Sequence, residues 1–303
     1  MTIQRKGCLF ALLLLLPTLS AAAEPAATAA APSRNPFQAL MNRKPRQITN
    51  TVGMTFIEIA QGNFVMGRYD LACPDENPTT PPIGGPLNWT AADHARCRAD
   101  AAREYRPGFI AQIRKPFLLG VHEVTQAQFM TVMGRNPSYF KEGFDADDSS
   151  RRPVDSVNWE DAQAFVARLN ELEKTNLYRL PTEAEWEWAA RAGQESSGPW
   201  GVFFFGNERN GVFRQSRSST AVTGSMPPNA WGLYDMVGNV WEWTADFFND
   251  RTFPDPTPPR RGSTHVIKGG SFVRDAYMSF PSDHAGGPAE RIDVGFRVLR
   301  ATE

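Results

Sequence analysis

The stretch PPNAWGLYDMVGNVWEWT, residues 227–244, decides how the chain is read. Proline, glycine and asparagine break it every few residues, which excludes a long helix. Trp231, Trp241 and Trp243 supply large rings that hold broken chain together when buried. The whole sequence shares this character, with 24 Gly, 24 Pro and 8 Trp in 303 residues. Such a chain is expected to be loop-rich, with buried aromatic rings fixing the loops. With 41% hydrophobic and 21% charged residues, it has enough apolar material for a real core. The net charge of −1 gives no case for nucleic acid or an anionic membrane surface as partner.

Upstream lies RLPTEAEWEWAAR, residues 179–191. Thr182 followed by Glu185 is a capping box, so a helix starts there. Trp186, Ala189 and Ala190 fall on its inner face, and Gly193 sits where a C-terminal cap belongs. Arg179 and Arg191 flank the helix and are expected to pair with its glutamates. Two further helices are legible. Thr125 and Gln128 form a capping box before Phe129, Val132 and Met133, with Asn136-Pro137 ending that helix. A second begins near Asn158 and carries Trp159, Ala162, Phe165, Val166 and Leu169 on one face. Towards the N-terminus, Met54, Phe56, Ile57 and Ile59, then Gly62 to Gly67, predict two strands joined as a hairpin.

The first residues read as an address. Arg5 and Lys6 precede an apolar run from Leu9 to Leu16, and small residues follow at 20–23. A span needs about 20 apolar residues, so residues 1–23 read as a secretory signal peptide and the protein as periplasmic; the alternative is an uncleaved anchor. Residues 24–46, rich in Ala, Pro and Ser, read as a flexible tether. The domain is set at 47–303, with 68–114 a polar surface insertion. Removal of the signal leaves Cys73 and Cys97. In an oxidising compartment this pair reads as a disulfide worth about 3 kcal/mol in the loop-entropy account; the alternative is a redox-active pair.

Together with KGGS at 268–271, Gly295-Phe296-Arg297, Glu123-Val124-Thr125 and Met66-Gly67, in this order, the segments at 179–191 and 227–244 closely resemble the formylglycine-generating-enzyme (sulfatase-modifying factor) family. The resemblance covers about Asn50 to Arg300. It implies an α+β, irregular, C-type-lectin-like fold. Oxidases of the family use two cysteines, three and eight residues past the serine of Lys-Gly-Gly-Ser, to bind copper. Those positions here are Arg274 and Ser279, and no cysteine follows Cys97. Cu(I) needs soft thiolates, so no copper is expected and formylglycine-generating activity is not expected. An iron site is equally unsupported, because His94, His122, His265 and His284 are scattered and lack H-x-x-x-H spacing.

The resemblance carries over one metal site, a structural Ca²⁺ held by Asp235, the Gly238 and Val240 carbonyls and Glu242. Two carboxylates plus carbonyls suit that ion on their own chemistry. The alternative is that Glu242 is only salt-bridged. Past Lys-Gly-Gly-Ser, the residues Arg274, Asp275, Tyr277, Asp283 and His284 cluster in sequence. Either Arg274, Tyr277 and His284 converge for general acid/base work, or they line a polar groove that binds something.

Two functional classes follow. Exported members without the cysteine pair include non-enzymatic regulators that act upstream of a membrane Ser/Thr kinase controlling type VI secretion. Others are periplasmic maturation enzymes, such as a siderophore-chromophore oxidase-like factor. The lost thiolates, the added insertion and the retained calcium loop favour a binding protein with an exported or membrane-anchored protein partner, without nucleic acid and without a transmembrane segment after signal cleavage.

Overall fold

A computed structural model describes residues 45–68, 90–104, 107–144, 147–193, 218–249, 257–274, 279–287 and 291–302, without several side chains of the first helix, Cys97 among them. Residues 45–303 form one compact unit. The expected signal peptide, most of the tether, the Cys73–Cys97 disulfide, Asp275 and Tyr277 lie outside the described residues.

The backbone of this unit is a five-stranded antiparallel sheet in the order β1 (Gln47–Thr49), β2 (Thr55–Ile59), β5 (Phe117–Gly120), β11 (Leu299–Ala301) and β6 (Tyr178–Arg179). Every residue of β5 is buried, because both faces of the sheet are covered. Phe56, Leu118 and Val298 pack on one side with α2 (Gln126–Met133) and α3 (Trp159–Glu173). Ile57, Ile59, Phe117, Leu119 and Leu299 pack on the other with α4 (Glu183–Arg191), through Trp186, Ala189 and Ala190. Alternation along each strand therefore feeds two cores.

A second sheet, in the order β10 (Val294–Gly295), β7 (Trp241–Phe247), β8 (His265–Lys268), β9 (His284–Gly286), has one parallel pair, β10 with β7. A two-stranded ribbon pairs β3 (Gly62–Met66) with β4 (Phe109–Ile113). The mixture of helix, short strands and long connections is the α+β, loop-rich architecture that the family resemblance implies.

The helix starts follow their caps. Thr125, Asn158 and Thr182 each accept a bond from the third helical residue, whose side chain bonds back. Arg179 forms a two-pronged pair with Glu185 at 2.7 and 2.6 Å, and Arg191 Nε donates to Glu187 at 2.8 Å. Three expectations are corrected. β2 and β3 do not form a hairpin, since β2 pairs with β1 and β5, and β3 with β4. Helix α2 ends earlier than Asn136-Pro137, at Gly134, whose φ of 71° is a left-handed cap. The insertion is not irregular throughout: α1 (Ala91–Glu104) and β4 lie within 68–114, and β4 is the missing partner of β3.

Candidate functional site

Two neighbouring layers carry the residues singled out by the sequence. The inner layer is a buried charge cluster where the 235–242 turn meets the five-stranded sheet. Asp235, Gly238 and Asn239 take φ of 54, 92 and 57°, which curls the chain tightly before it enters β7. Glu242, fully buried, accepts from Arg297 Nε and Nη2 at 2.6 Å each and from Trp186 Nε1 at 2.7 Å. Arg297, also fully buried, spends its remaining donors on the Gly120 and Tyr234 carbonyls at 3.1 and 2.9 Å. Glu123 accepts from Asn239 Nδ2 at 2.8 Å and from the Val240 N–H at 3.3 Å. Asp235 accepts from the Gly224 N–H at 2.6 Å.

Three carboxylates thus share one guanidinium in a dry place. Burial first, then the charges of Asp235 and Glu242, push Glu123 well above the usual carboxylate range. Burial likewise pushes Asp235 up to about 6, with Glu242 adding to it. The cluster holds more negative charge than Arg297 balances, which is the condition a hard divalent cation relieves. An ionised carboxylate has about four acceptor positions; Glu242 uses three and Asp235 one. Lone pairs therefore remain on both, and in type these oxygen ligands would suit Ca²⁺. Among the described residues no three His, Cys, Asp or Glu side chains form a ready metal-holding group; the expected ligand set draws half its members from main-chain carbonyls. The alternative reading of Glu242 as a salt-bridge residue describes its contact with Arg297, and both roles fit one carboxylate.

The outer layer is the segment around Lys-Gly-Gly-Ser, where the family resemblance places a cleft. Gly269 and Gly270 have φ of 94 and 74°. A Cβ on Gly270 would stand 2.6 Å from Ser279 Oγ, so the turn and Ser279 are packed against each other. Ser271 Oγ donates to Asp293 at 2.7 Å, and Arg291 grips Asp293 at 2.7 and 2.6 Å. Arg274 lies 5.5 Å over the face of Trp241 and 3.9 Å from Asp283, with 37% of its side chain exposed. The first thiolate position of the family thus carries a cation on an aromatic face, and the second carries fully buried Ser279. This donor set does not fit copper, which needs soft sulfur ligands.

His284 turns to a different network. Its Nδ1 lies 3.1 Å from Glu183 Oε1, which also meets Lys268 Nζ at 3.3 Å. Lys268, fully buried, reaches Glu187 at 3.1 Å, and Glu187 in turn accepts from Arg191 and the Gly67 N–H. Burial alone would raise Glu183, but Lys268 and His284 together hold it below its ordinary value. Among the described residues, Arg274 meets Trp241 and Asp283, and His284 meets Glu183; Tyr277, the third residue of the expected group, lies outside them.

Sequence reasoning assigned no role to Arg297, Glu123, Asp293 or Lys268. Gly-Phe-Arg at 295–297 was the available signal for Arg297. The pairing of a lone Arg with a Glu 55 residues away has no periodic trace. Of the tryptophans, Trp186, Trp241 and Trp243 are buried as expected, while Trp188 is half-buried against Phe64 and Trp231.

Fold and site together define a loop-rich α+β scaffold of the C-type-lectin-like kind, locked at its centre by a Trp–Glu–Arg contact and without thiolates at positions 274 and 279. A model of the sulfatase-modifying factor enzyme 1-like domain matches residues 38–302, and the chain belongs to that family. The formylglycine-generating enzyme of Mus musculus is 38% identical over 142 residues, covering 41% of this chain and 36% of the mouse protein. The match therefore spans little more than a third of that relative. The chaperone protein LppX of Paenibacillus barcinonensis is 32% identical over 241 residues, covering 61% of this chain and 80% of LppX. Among solved structures, PvdO from Pseudomonas aeruginosa superposes with a TM-score of 0.63 at 22% identity, covering 86% of this chain and all of PvdO, which shows the shared fold. Among the described residues no helix is long and apolar enough to cross a membrane.

Proposed function

We propose that this protein is a non-oxidase, periplasmic binding and regulatory member of the family that recognises an exported or membrane-anchored protein. One observation carries the reading: where an oxidase of the family needs two thiolates, this chain has Arg274 stacked on Trp241 and Ser279 buried. A guanidinium on an aromatic face is a recognition device rather than a soft-metal ligand. The name of the LppX relative, a chaperone, supports a family member that acts on another protein. A pathway through a membrane Ser/Thr kinase that controls type VI secretion is the partner class we favour. Asp235, Gly238, Val240 and Glu242 hold a structural Ca²⁺ in this reading. That ion would neutralise the excess charge of the buried cluster and fix the turn that carries Trp241 under the cleft.

The test is capture of cross-linked partners from a periplasmic extract, using the full exported chain and its Arg274→Glu variant. A defined protein recovered with the native chain and lost with the variant is expected. No recovered protein, together with oxygen uptake on a small-molecule substrate, would establish a maturation enzyme instead. Stoichiometric copper binding with aldehyde formation on a cysteine peptide would overturn the reading altogether.

A further inference from the structure

A groove of 510 Å3 opens beside the 235–242 turn, and none of its lining residues belongs to the Lys-Gly-Gly-Ser segment. Its walls come from His122, just past β5, from Thr125 and Gln128 at the start of α2, from Ser150 and Arg151 in a short 3-10 turn (Ser149–Arg151), and from Thr223, Gly224 and Tyr234. The volume falls in the range of small-ligand sites.

The groove is built rather than incidental. The His122 ring stacks on Tyr234, with centroids 4.8 Å apart and an interplanar angle of 26°. Gly224, at φ +75°, leaves room for that ring; a Cβ there would stand 2.7 Å from His122 Nε2. Thr223 clamps the opposite wall, donating from both its N–H and its hydroxyl to the Arg151 carbonyl at 3.0 and 3.1 Å. The Ser150 hydroxyl is used internally, donating to Asp148 at 2.6 Å.

Three polar groups are left over. Among the described residues no hydrogen bond or ion pair takes up the His122 ring nitrogens, the Tyr234 hydroxyl or the Arg151 guanidinium. Burial, then the charges of Arg297 and Arg151, hold His122 down to about 4, so its ring is neutral at pH 7 and offers one N–H donor. No lining residue is acidic. The groove therefore presents one cation and two directional donors with no carboxylate of its own to answer them, which is the complement of an oxyanion.

We infer that this groove is a binding site for a small anionic ligand whose carboxylate or phosphate oxygens pair with Arg151 and accept from His122 and Tyr234. The inference stands apart from the role of the cleft, because it uses different residues and needs no partner protein. The two ligand classes share one chemistry, and separate titrations with inorganic phosphate and with succinate distinguish them.

The experiment is amide chemical-shift titration of the full exported chain with each probe in turn. Saturable shifts at residues 122–128, 150–151, 223–224 and 234, with a Kd of about 1 mM or tighter for at least one probe, are expected. Arg151→Ala should weaken binding about tenfold or more, Arg151→Lys should restore most of it, and Tyr234→Phe, which keeps the ring stack, should cost about three- to tenfold. Arg151 is exposed, so its replacement leaves the fold intact. Absence of saturable shifts with both probes, or binding unchanged by Arg151→Ala, would overturn the inference.

Discussion

Arg297 and Arg274 each face a carboxylate, Glu242 and Asp283 respectively, and the two arrangements differ in almost every physical respect. Arg297 is sealed, with two contacts of 2.6 Å to a Glu242 that Trp186 also holds. Arg274 is partly exposed, lies 3.9 Å from Asp283 and rests on the Trp241 ring. Trp241 and Glu242 are consecutive residues of one strand, so the two arginines address opposite sides of the same short segment. The inner contact spends its donors on the scaffold, whereas the outer one keeps donors within reach of solvent. In the proposed function, rigidity falls to the sealed arginine and recognition to the partly exposed one.

The comparison breaks most visibly if the inner pair is opened. Arg297→Met should destabilise the protein by about 3–5 kcal/mol, because Glu242 is then left charged and alone in the core. Urea unfolding measures it, and the double variant Arg297→Met with Glu242→Gln should regain part of the loss. A change below about 1 kcal/mol would mean that the cluster is not closed as described.

Cation linkage sharpens the same contrast. Ca²⁺ in hundredfold excess over its Kd should stabilise the native chain by about 2.7 kcal/mol, and a chelator should reverse this. Asp235→Ala should abolish the increment. An equal melting shift in the variant would show that calcium acts elsewhere.

Local signals were legible and distant ones were not. Thr125 and Thr182 announced helices because a cap is written within four residues, and the helix after Asn158 was announced by its apolar face. Arg179 and Arg191 flank α4 and were expected to pair with its glutamates; the i,i+4 spacing gives Arg191 with Glu187, while Arg179 with Glu185 crosses from strand to helix. The strand at 109–113 was missed because its partner lies across a polar stretch of more than 40 residues, so β3 was given the nearer and wrong neighbour. Arg297 and Glu123 were invisible as a cluster for the same reason. The positions of Arg274 and Ser279 were legible, but the stacking of Arg274 on Trp241 required the fold.

Asp155 tests whether burial alone makes a carboxylate of the inner kind. It accepts from the Tyr139 and Phe140 N–H groups at 2.6 and 3.4 Å and so pins a loop on which Tyr139 and Phe144 are 58% and 46% exposed. Burial pushes it up to about 6, against the pull of its hydrogen bonds and of Arg152. Its folded value lies above the unfolded one of about 3.9, so its contribution is full below about pH 4 and is lost as pH rises through about 6. Asp155→Asn should flatten the stability profile across that window by about 1–2 kcal/mol, as read by thermal melts at successive pH values. A profile as steep as that of the native chain would assign the slope to other groups.

The smallest effect on stability is expected at the outer arginine. Arg274→Ala removes the stack on Trp241 and the 3.9 Å approach to Asp283 from a partly exposed side chain, so the loss should stay below about 1 kcal/mol by calorimetry. The same substitution should lower partner recovery about tenfold or more, since a half-exposed guanidinium on an aromatic face loses both its charge and its planar donors. Arg274→Lys separates the two contributions: it keeps charge for attraction at distance but cannot reproduce the flat, forked contact over Trp241. Partial recovery with Lys would assign that fraction to charge. Full recovery would make the stack irrelevant to binding and reduce the difference between the two arginines to exposure alone.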